Sequence, residues 1–221
     1  MMRFINYIKR FYEISLHRRK LDIDGTLLNA FKKKRVIFIH IPKTAGISLI
    51  RSIYGDVALG GHRDFHFYKS VFGDDFNKCY TFSFIRNPWD RVYSAYKFLE
   101  KGGVNIHDKN AFDMYLSRYD NFEDFIMNGL SERLLYKINH LRPQSDFICN
   151  KNGDVLVDFL GRFETIGDDV SQLESHLEIS IKLEYHNMNP KASYMQIYTE
   201  EMISKVKQVY NRDINIFGYN F

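Results

Sequence analysis

Cysteine is scarce in this chain: Cys79 and Cys149 are the only two in 221 residues. Two isolated thiols make no disulfide framework and lack metal-ligand spacing. Each sits in an apolar stretch, which predicts a buried free thiol. No apolar run approaches the roughly 18–20 residues needed to cross a bilayer. Met1 to Lys20 alternates apolar with basic residues, without a continuous apolar core or a small-residue cleavage site. That pattern predicts an amphipathic helix with scope for peripheral membrane contact. Internal repeats, low-complexity tracts and Pro/Ser-rich linkers are missing too, so one main domain is expected. Charge of one sign is in small excess, and a net charge of +4 gives no argument for nucleic acid. The positive charge clusters in His17-Arg18-Arg19-Lys20 and in Lys32-Lys33-Lys34-Arg35.

What is present fits one substantial α/β core, with 45% hydrophobic and 26% charged residues. The most telling stretch runs Val36-Ile37-Phe38-Ile39-His40-Ile41-Pro42-Lys43-Thr44-Ala45-Gly46-Ile47-Ser48. A β-branched, apolar run (36–41) reads as a buried strand, and Ile47, Leu49, Ile50, Ile53 and Tyr54 read as a helix face over 47–54. The loop between them suits a phosphate. Backbone N–H groups at a helix N-terminus lack intrahelical partners and carry partial positive charge. Lys43 adds a full charge, and Thr44 and Ser48 add hydroxyl donors. The nucleotide-triphosphatase pattern G-x-x-x-x-G-K-[ST] is not met, because Lys43 precedes the only glycine, Gly46.

A second unit of the same kind follows. Tyr80 to Ile85 reads as a strand, Asn87 as an N-cap, Pro88 as the first helical residue, and Trp89, Val92, Tyr93, Tyr96 and Leu99 as a buried helix face. Arg86 ends that strand as Lys43 ends the first. If the strands are neighbours in a parallel sheet, both cations reach one crevice at the strand ends. Arginine's planar fork suits a phosphate monoester, and Ser94, two turns on, either adds a hydroxyl or permits close helix packing. Further along, 104–120 reads as a polar loop and 121–139 as helical. Asn152-Gly153 reads as a hairpin turn between 147–149 and 155–157. Helices are expected near 168–178 and from an N-cap at Thr199.

The segments HIPKTAGIS and FSFIRNPWDRVYSAYKF resemble, as a pair, the two nucleotide motifs of sulfotransferases that use 3′-phosphoadenosine 5′-phosphosulfate (PAPS). The nearest resemblance is to the carbohydrate group with heparan and dermatan 2-O-sulfotransferases and chondroitin sulfotransferases. Weaker similarity lies in NHLRPQSDFI (139–148), FLGRFETIGDDVSQL (159–173) and YTEEMISKVKQVYNRDINIFGY (198–219). The resemblance implies an α/β, P-loop-like three-layer sandwich with a mainly parallel sheet over 35–221, behind a helical, basic extension over 1–34. It implies that Pro42, Lys43, Thr44, Ala45, Gly46, Ile47 and Ser48 wrap the 5′-phosphosulfate, that Arg86 and Ser94 hold the 3′-phosphate, and that Lys191 and Ser193 close over the nucleotide. It also places a catalytic base in Gly60-Gly61-His62-Arg63-Asp64-Phe65-His66, with His62 ahead of His66; activity that survives loss of His62 would move the role to His66 or to Glu164.

The reaction so implied moves a sulfuryl group from PAPS to a hydroxyl, of an oligo- or polysaccharide or a glycolipid, with no metal required. Arg63, Arg142, Gln144, Arg162 and Glu164 are candidate acceptor contacts. Arg162 and Glu164 read equally as a structural pair at the sheet end, and Arg142 and Gln144 as shaping a turn at Pro143. His40 reads as a core histidine, and Phe65, Phe67 and Tyr68 as a sugar platform or a core edge. Two other functions stand against transfer: a nucleotide- or polyanion-binding protein on the same fold, and an ATP-dependent P-loop kinase. A cytoplasmic location is the simplest expectation.

Overall fold

The computed structural model describes residues 2–183 and 194–221. Its centre is a parallel sheet of β1 (Val36–Phe38), β2 (Tyr80–Ile85) and β3 (Phe159–Arg162), in the order β1-β2-β3. Val36 pairs with Tyr80 and Phe82 with Phe159, so all three strands end at one edge. Strands covered on both faces carry apolar runs without alternation, and β1 and nearly all of β2 are buried. Helices flank the sheet, giving the α/β, P-loop-like architecture. From the N-terminus they begin with α1 (Met2–Arg19), α2 (Leu27–Lys34), α3 (Gly46–Tyr54) and α4 (Phe65–Phe72). Leu27, Leu28 and Phe31 of α2 join the core directly.

β1 is shorter than its apolar run. Ile39 N–H still donates to the Phe82 carbonyl at 2.8 Å, but the Ser83 hydroxyl then takes the Ile39 carbonyl at 2.7 Å. The chain peels away from the ladder there, and His40 leaves the sheet. β2 ends as the local signals predict. Asn87 caps α5 (Pro88–Glu100) by accepting from Trp89 N–H at 3.0 Å, with Pro88 at the first turn.

The predicted loop at 104–120 is a helix, α6 (Ile106–Tyr115). Its apolar periodicity is weak, and it is held by a cap instead. The Asn105 carboxamide accepts from His107 and Asp108 N–H, while the Asp108 carboxylate takes Val104 N–H and the Asn105 amide. The helical material at 121–139 is broken into α7 (Phe122–Asp124), which runs into a π-turn, and α8 (Glu132–Leu135). The Asn152-Gly153 hairpin reduces to a turn closed by one bridge, Cys149 to Val155. The residues before it form α9 (Ser145–Ile148), because two of their N–H groups are drawn onto buried Asp213, at 2.6 Å from Gln144 and 2.9 Å from Ser145. α10 (Ile166–Leu177), α11 (Glu200–Val209, capped by Thr199) and α12 (Asn211–Phe217) complete the chain. Cys149 is buried as predicted, whereas Cys79 is only half-buried.

Gly161 on β3 lets the neighbouring strand's Phe84 lie flat against it: a Cβ there would meet the Phe84 ring at 2.3 Å. Gly161→Ala should therefore destabilise by about 1–3 kcal/mol, the usual cost of overpacking. Urea unfolding reads this directly, and an unchanged midpoint would show that the sheet has slack at this point.

Candidate active site

The two β–α junctions meet at the edge where β1 and β2 end. Lys43 and Ala45 both hold left-handed backbone, with φ of 71° and 62°. A side chain in that region costs on the order of 1–2 kcal/mol per residue, so other contacts must hold the loop. Thr44 Oγ1 donates to the Ile41 carbonyl at 2.8 Å from inside, and Arg86 Nη1 donates to the Lys43 carbonyl at 3.0 Å from the second junction. Gly46 opens α3 against the His40 imidazole, where a Cβ would fall 1.9 Å from the ring. The loop thus closes onto His40, and the first residues of α3, Gly46, Ile47 and Ser48, line a cleft.

Arg86 is almost wholly buried. Its fork, Nε and Nη2, is engaged by the Asp90 carboxylate in two bonds of 2.8 Å, and its plane lies over Phe163, 4.0 Å from the ring centroid. The fork is therefore not the phosphate-facing edge that the sequence suggests. Nη1 remains, 3.3 Å from Ser94 Oγ. Gln144 braces the same residue: its amide accepts from Arg86 N–H at 2.9 Å and donates to the Arg86 carbonyl at 2.8 Å.

The cleft has a volume of about 730 Å³. Lys43, Ala45, Gly46, Ile47, Ser48, Arg86 and Ser94 line one part of it, and His40, His62, His140, Phe98, Asn105, Asp108 and Lys137 line the rest. Pro42 and Thr44 lie behind the wall, with Thr44 fully buried, so Thr44 shapes the loop and its hydroxyl does not reach the cleft. Lys191 and Ser193 fall outside the described residues.

Burial sets the electrostatics. The Lys43 ammonium sits 3.9 Å from the centroid of the Phe98 ring, and burial with Arg86 nearby pulls its pKa down to about 8. His62 and His140 are both shifted down, chiefly by burial; His140 falls to about 3. His40 is likewise held neutral, by burial first and by His62 second. The 3.7 Å contact between His140 Nδ1 and Asp108 is thus a polar contact to a neutral ring and not an ion pair. The rings form a chain, with centroids 4.4 Å apart for His40–His62 and 5.6 Å for His62–His140. His62 Nδ1 lies 3.2 Å from the His40 carbonyl. A carbonyl only accepts, so Nδ1 carries the proton and Nε2 keeps its lone pair. That tautomer suits a proton acceptor.

Several candidates are not in the cleft. His66 is exposed on α4, and Arg63 ion-pairs with Glu13 at 2.6 Å on the α1 side. Arg142 lies over the Phe147 ring, reaching Asp64 at 3.5 Å and the Asp146 carbonyl at 3.1 Å. Gln144 is fully enclosed by its contacts with Arg86, which leaves it no face for an acceptor. Arg162 donates to the Phe217 carbonyl at 2.7 Å. Glu164 accepts from Asn87 N–H at 2.5 Å and from the Tyr219 hydroxyl at 3.1 Å. Arg162 and Glu164 therefore brace the strand end separately, not as a pair. Phe65, Phe67 and Tyr68 are buried helix residues and offer no sugar platform.

The family model described as the sulfotransferase family matches residues 28–220. This chain belongs to the sulfotransferase family. The family includes carbohydrate sulfotransferases such as the heparan sulfate 2-O- and chondroitin enzymes. No curated protein and no solved structure gives a match. In this sulfotransferase, Asp108 and His40 are among the cleft residues that the sequence hides. Asp108 sits in a helix with little periodicity, and His40 looks like a strand residue until β1 is seen to stop at Phe38.

The loop's dependence on His40 is testable by pairing substitutions. Gly46→Ala should cost about 1–3 kcal/mol of stability, and most of that loss should vanish in a His40→Ala background, where the ring is gone. Equal losses in both backgrounds would show that the ring does not set the loop.

Proposed function

We propose that this protein transfers the sulfuryl group of PAPS to a carbohydrate hydroxyl. The observation that carries the reading is the contact between Arg86 and the Lys43 carbonyl, which joins two cationic β–α junctions at one cleft. The residues fit the donor on their own chemistry. A helix N-terminus that glycine lets approach closely, a buried lysine and an arginine–serine pair offer donors for two separate anionic groups. The volume lies within the range usual for small-molecule sites.

When bound, PAPS supplies an activated sulfuryl group on a phosphate leaving group. Lys43 and the amides of Gly46, Ile47 and Ser48 hold the 5′ end and offset the charge that grows on the leaving oxygen. Arg86 Nη1 and Ser94 hold the 3′-phosphate, and Asp90 and Gln144 keep Arg86 in place. His62 accepts the proton of the acceptor hydroxyl at Nε2, its downward-shifted pKa leaving it unprotonated at neutral pH. The exposed Lys137, Asn139 and His107 at the cleft mouth are positioned to meet the acceptor.

Adenosine 3′,5′-bisphosphate should raise the thermal midpoint. Ligand at a hundred times its Kd adds roughly 2.7 kcal/mol, while ATP with magnesium should add much less. Comparable shifts would point to an ordinary nucleotide site, and no shift with either would remove the donor. Lys43→Ala should lower kcat by two to three decades, or about 3–4 kcal/mol. His62→Ala should abolish transfer with bisphosphate affinity nearly unchanged.

The pH profile follows from the same groups. kcat/KM should rise as His62 loses its proton, below its ordinary pKa of 6.5, and fall as Lys43 loses its proton near 8. Lys43→Arg keeps its charge to higher pH and should move the alkaline limb upward. A limb that stays near 8 in that variant would assign it to another group.

A further inference from the structure

Among the described side chains, α1 is joined to the body along one side. Glu13 pairs with Arg63, His17 meets the Phe67 ring edge-on at 5.0 Å, and Arg18 donates to the Ser70 carbonyl at 2.8 Å. Ile14 packs against the core from the same side. The other side carries Phe11, Tyr12 and Leu16, which are 67%, 65% and 39% exposed. Tyr12, Leu16 and Arg19 follow helical spacing, with Phe11 beside them. Single exposed apolar residues are ordinary, but a row on one helix face calls for a partner.

Charge decides which partner. Residues 2–20 hold six lysines and arginines against one acid, Glu13, while the rest of the chain holds 25 basic and 26 acidic residues. The whole net positive charge of the protein therefore lies in this helix. The lysines of α2 differ in kind, since Lys32 and Lys33 are matched by Asp22 and Asp24 at 2.6 Å. Arg19 and Lys20 are exposed beside the apolar row. A second copy of the same helix would bring like charges together. An anionic surface with an apolar layer beneath it matches both features.

We propose that α1 is a peripheral membrane helix that seats the protein on an anionic lipid surface. Phe11, Tyr12 and Leu16 enter the headgroup boundary, and Arg19 and Lys20 meet lipid phosphates. The placement relates to the cleft. A small hollow lined by His17, Lys20, Leu27, Leu59 and Gly60 adjoins α1, and Leu27, Leu59 and Gly60 also line the cleft.

The test is flotation of the full chain with phosphatidylcholine vesicles, with and without phosphatidylglycerol. Binding is expected to the anionic vesicles alone and to weaken with salt. Phe11→Ser/Leu16→Ser and Arg19→Glu/Lys20→Glu should each lower partitioning by at least about tenfold. Their thermal midpoints, and the shift with adenosine 3′,5′-bisphosphate, should stay at the wild-type values, which separates this inference from the donor reading. Equal binding to neutral vesicles, no binding, or wild-type binding by both double variants would overturn it. So would a dimer in sedimentation velocity that Phe11→Ser/Leu16→Ser dissociates.

Discussion

The hydrogen bond from Arg86 Nη1 to the Lys43 carbonyl, 3.0 Å long, is the contact on which the site depends. Two β–α junctions with no sequence contact become one wall through it. It is possible only because β1 and β2 are parallel neighbours that point to the same edge of the sheet. It is kept in place from several directions: Asp90 holds the guanidinium in its plane, Gln144 holds the Arg86 backbone, and Asp213 holds Gln144. A chain of buried polar contacts running from α12 to the phosphate-type loop is therefore satisfied link by link, as burial requires. The left-handed residues Lys43 and Ala45 tolerate their conformation because the loop is gripped from both ends.

The cleft is also an electrostatic arrangement. Three imidazoles stand near a buried lysine and arginine, and each remains neutral because a further buried charge would be too costly. The buried positive charge lining the cleft is thus carried by Lys43 and Arg86, with Lys137 exposed at the mouth, while the histidines remain proton acceptors. Asp108 offsets part of that charge near Lys43 and His62 without forming a close ion pair with either. One end of the cleft is built for anions and the other for taking up a proton, and sulfuryl transfer needs both.

Local signals made much of this legible in the sequence. The strand at Tyr80–Ile85, its Asn87 cap and Pro88, and the Thr199 cap each depend on neighbours a few residues apart. The loop at Lys43 and the turn at Arg86 were legible for the same reason. What failed to show depends on distant partners. Gln144 reads as a polar turn residue because its partner, Arg86, is 58 positions away. Asp213, nearly 70 positions downstream, turns 145–148 into a helix where the apolar pattern suggests a strand. His62 and His66 look equivalent in sequence, and only the start of α4 at Phe65 sends one into the cleft and the other to solvent.

The most direct measurement is calorimetric binding of adenosine 3′,5′-bisphosphate and of adenosine 5′-monophosphate to the wild type and to Ser94→Ala. A shared grip by Lys43 and Arg86 predicts that the wild type prefers the bisphosphate by at least about tenfold, the worth of one charge-assisted bond, and that Ser94→Ala narrows this preference. Equal affinity for the two nucleotides in the wild type would mean that Arg86 and Ser94 hold no 3′-phosphate, and the account of the cleft would fail.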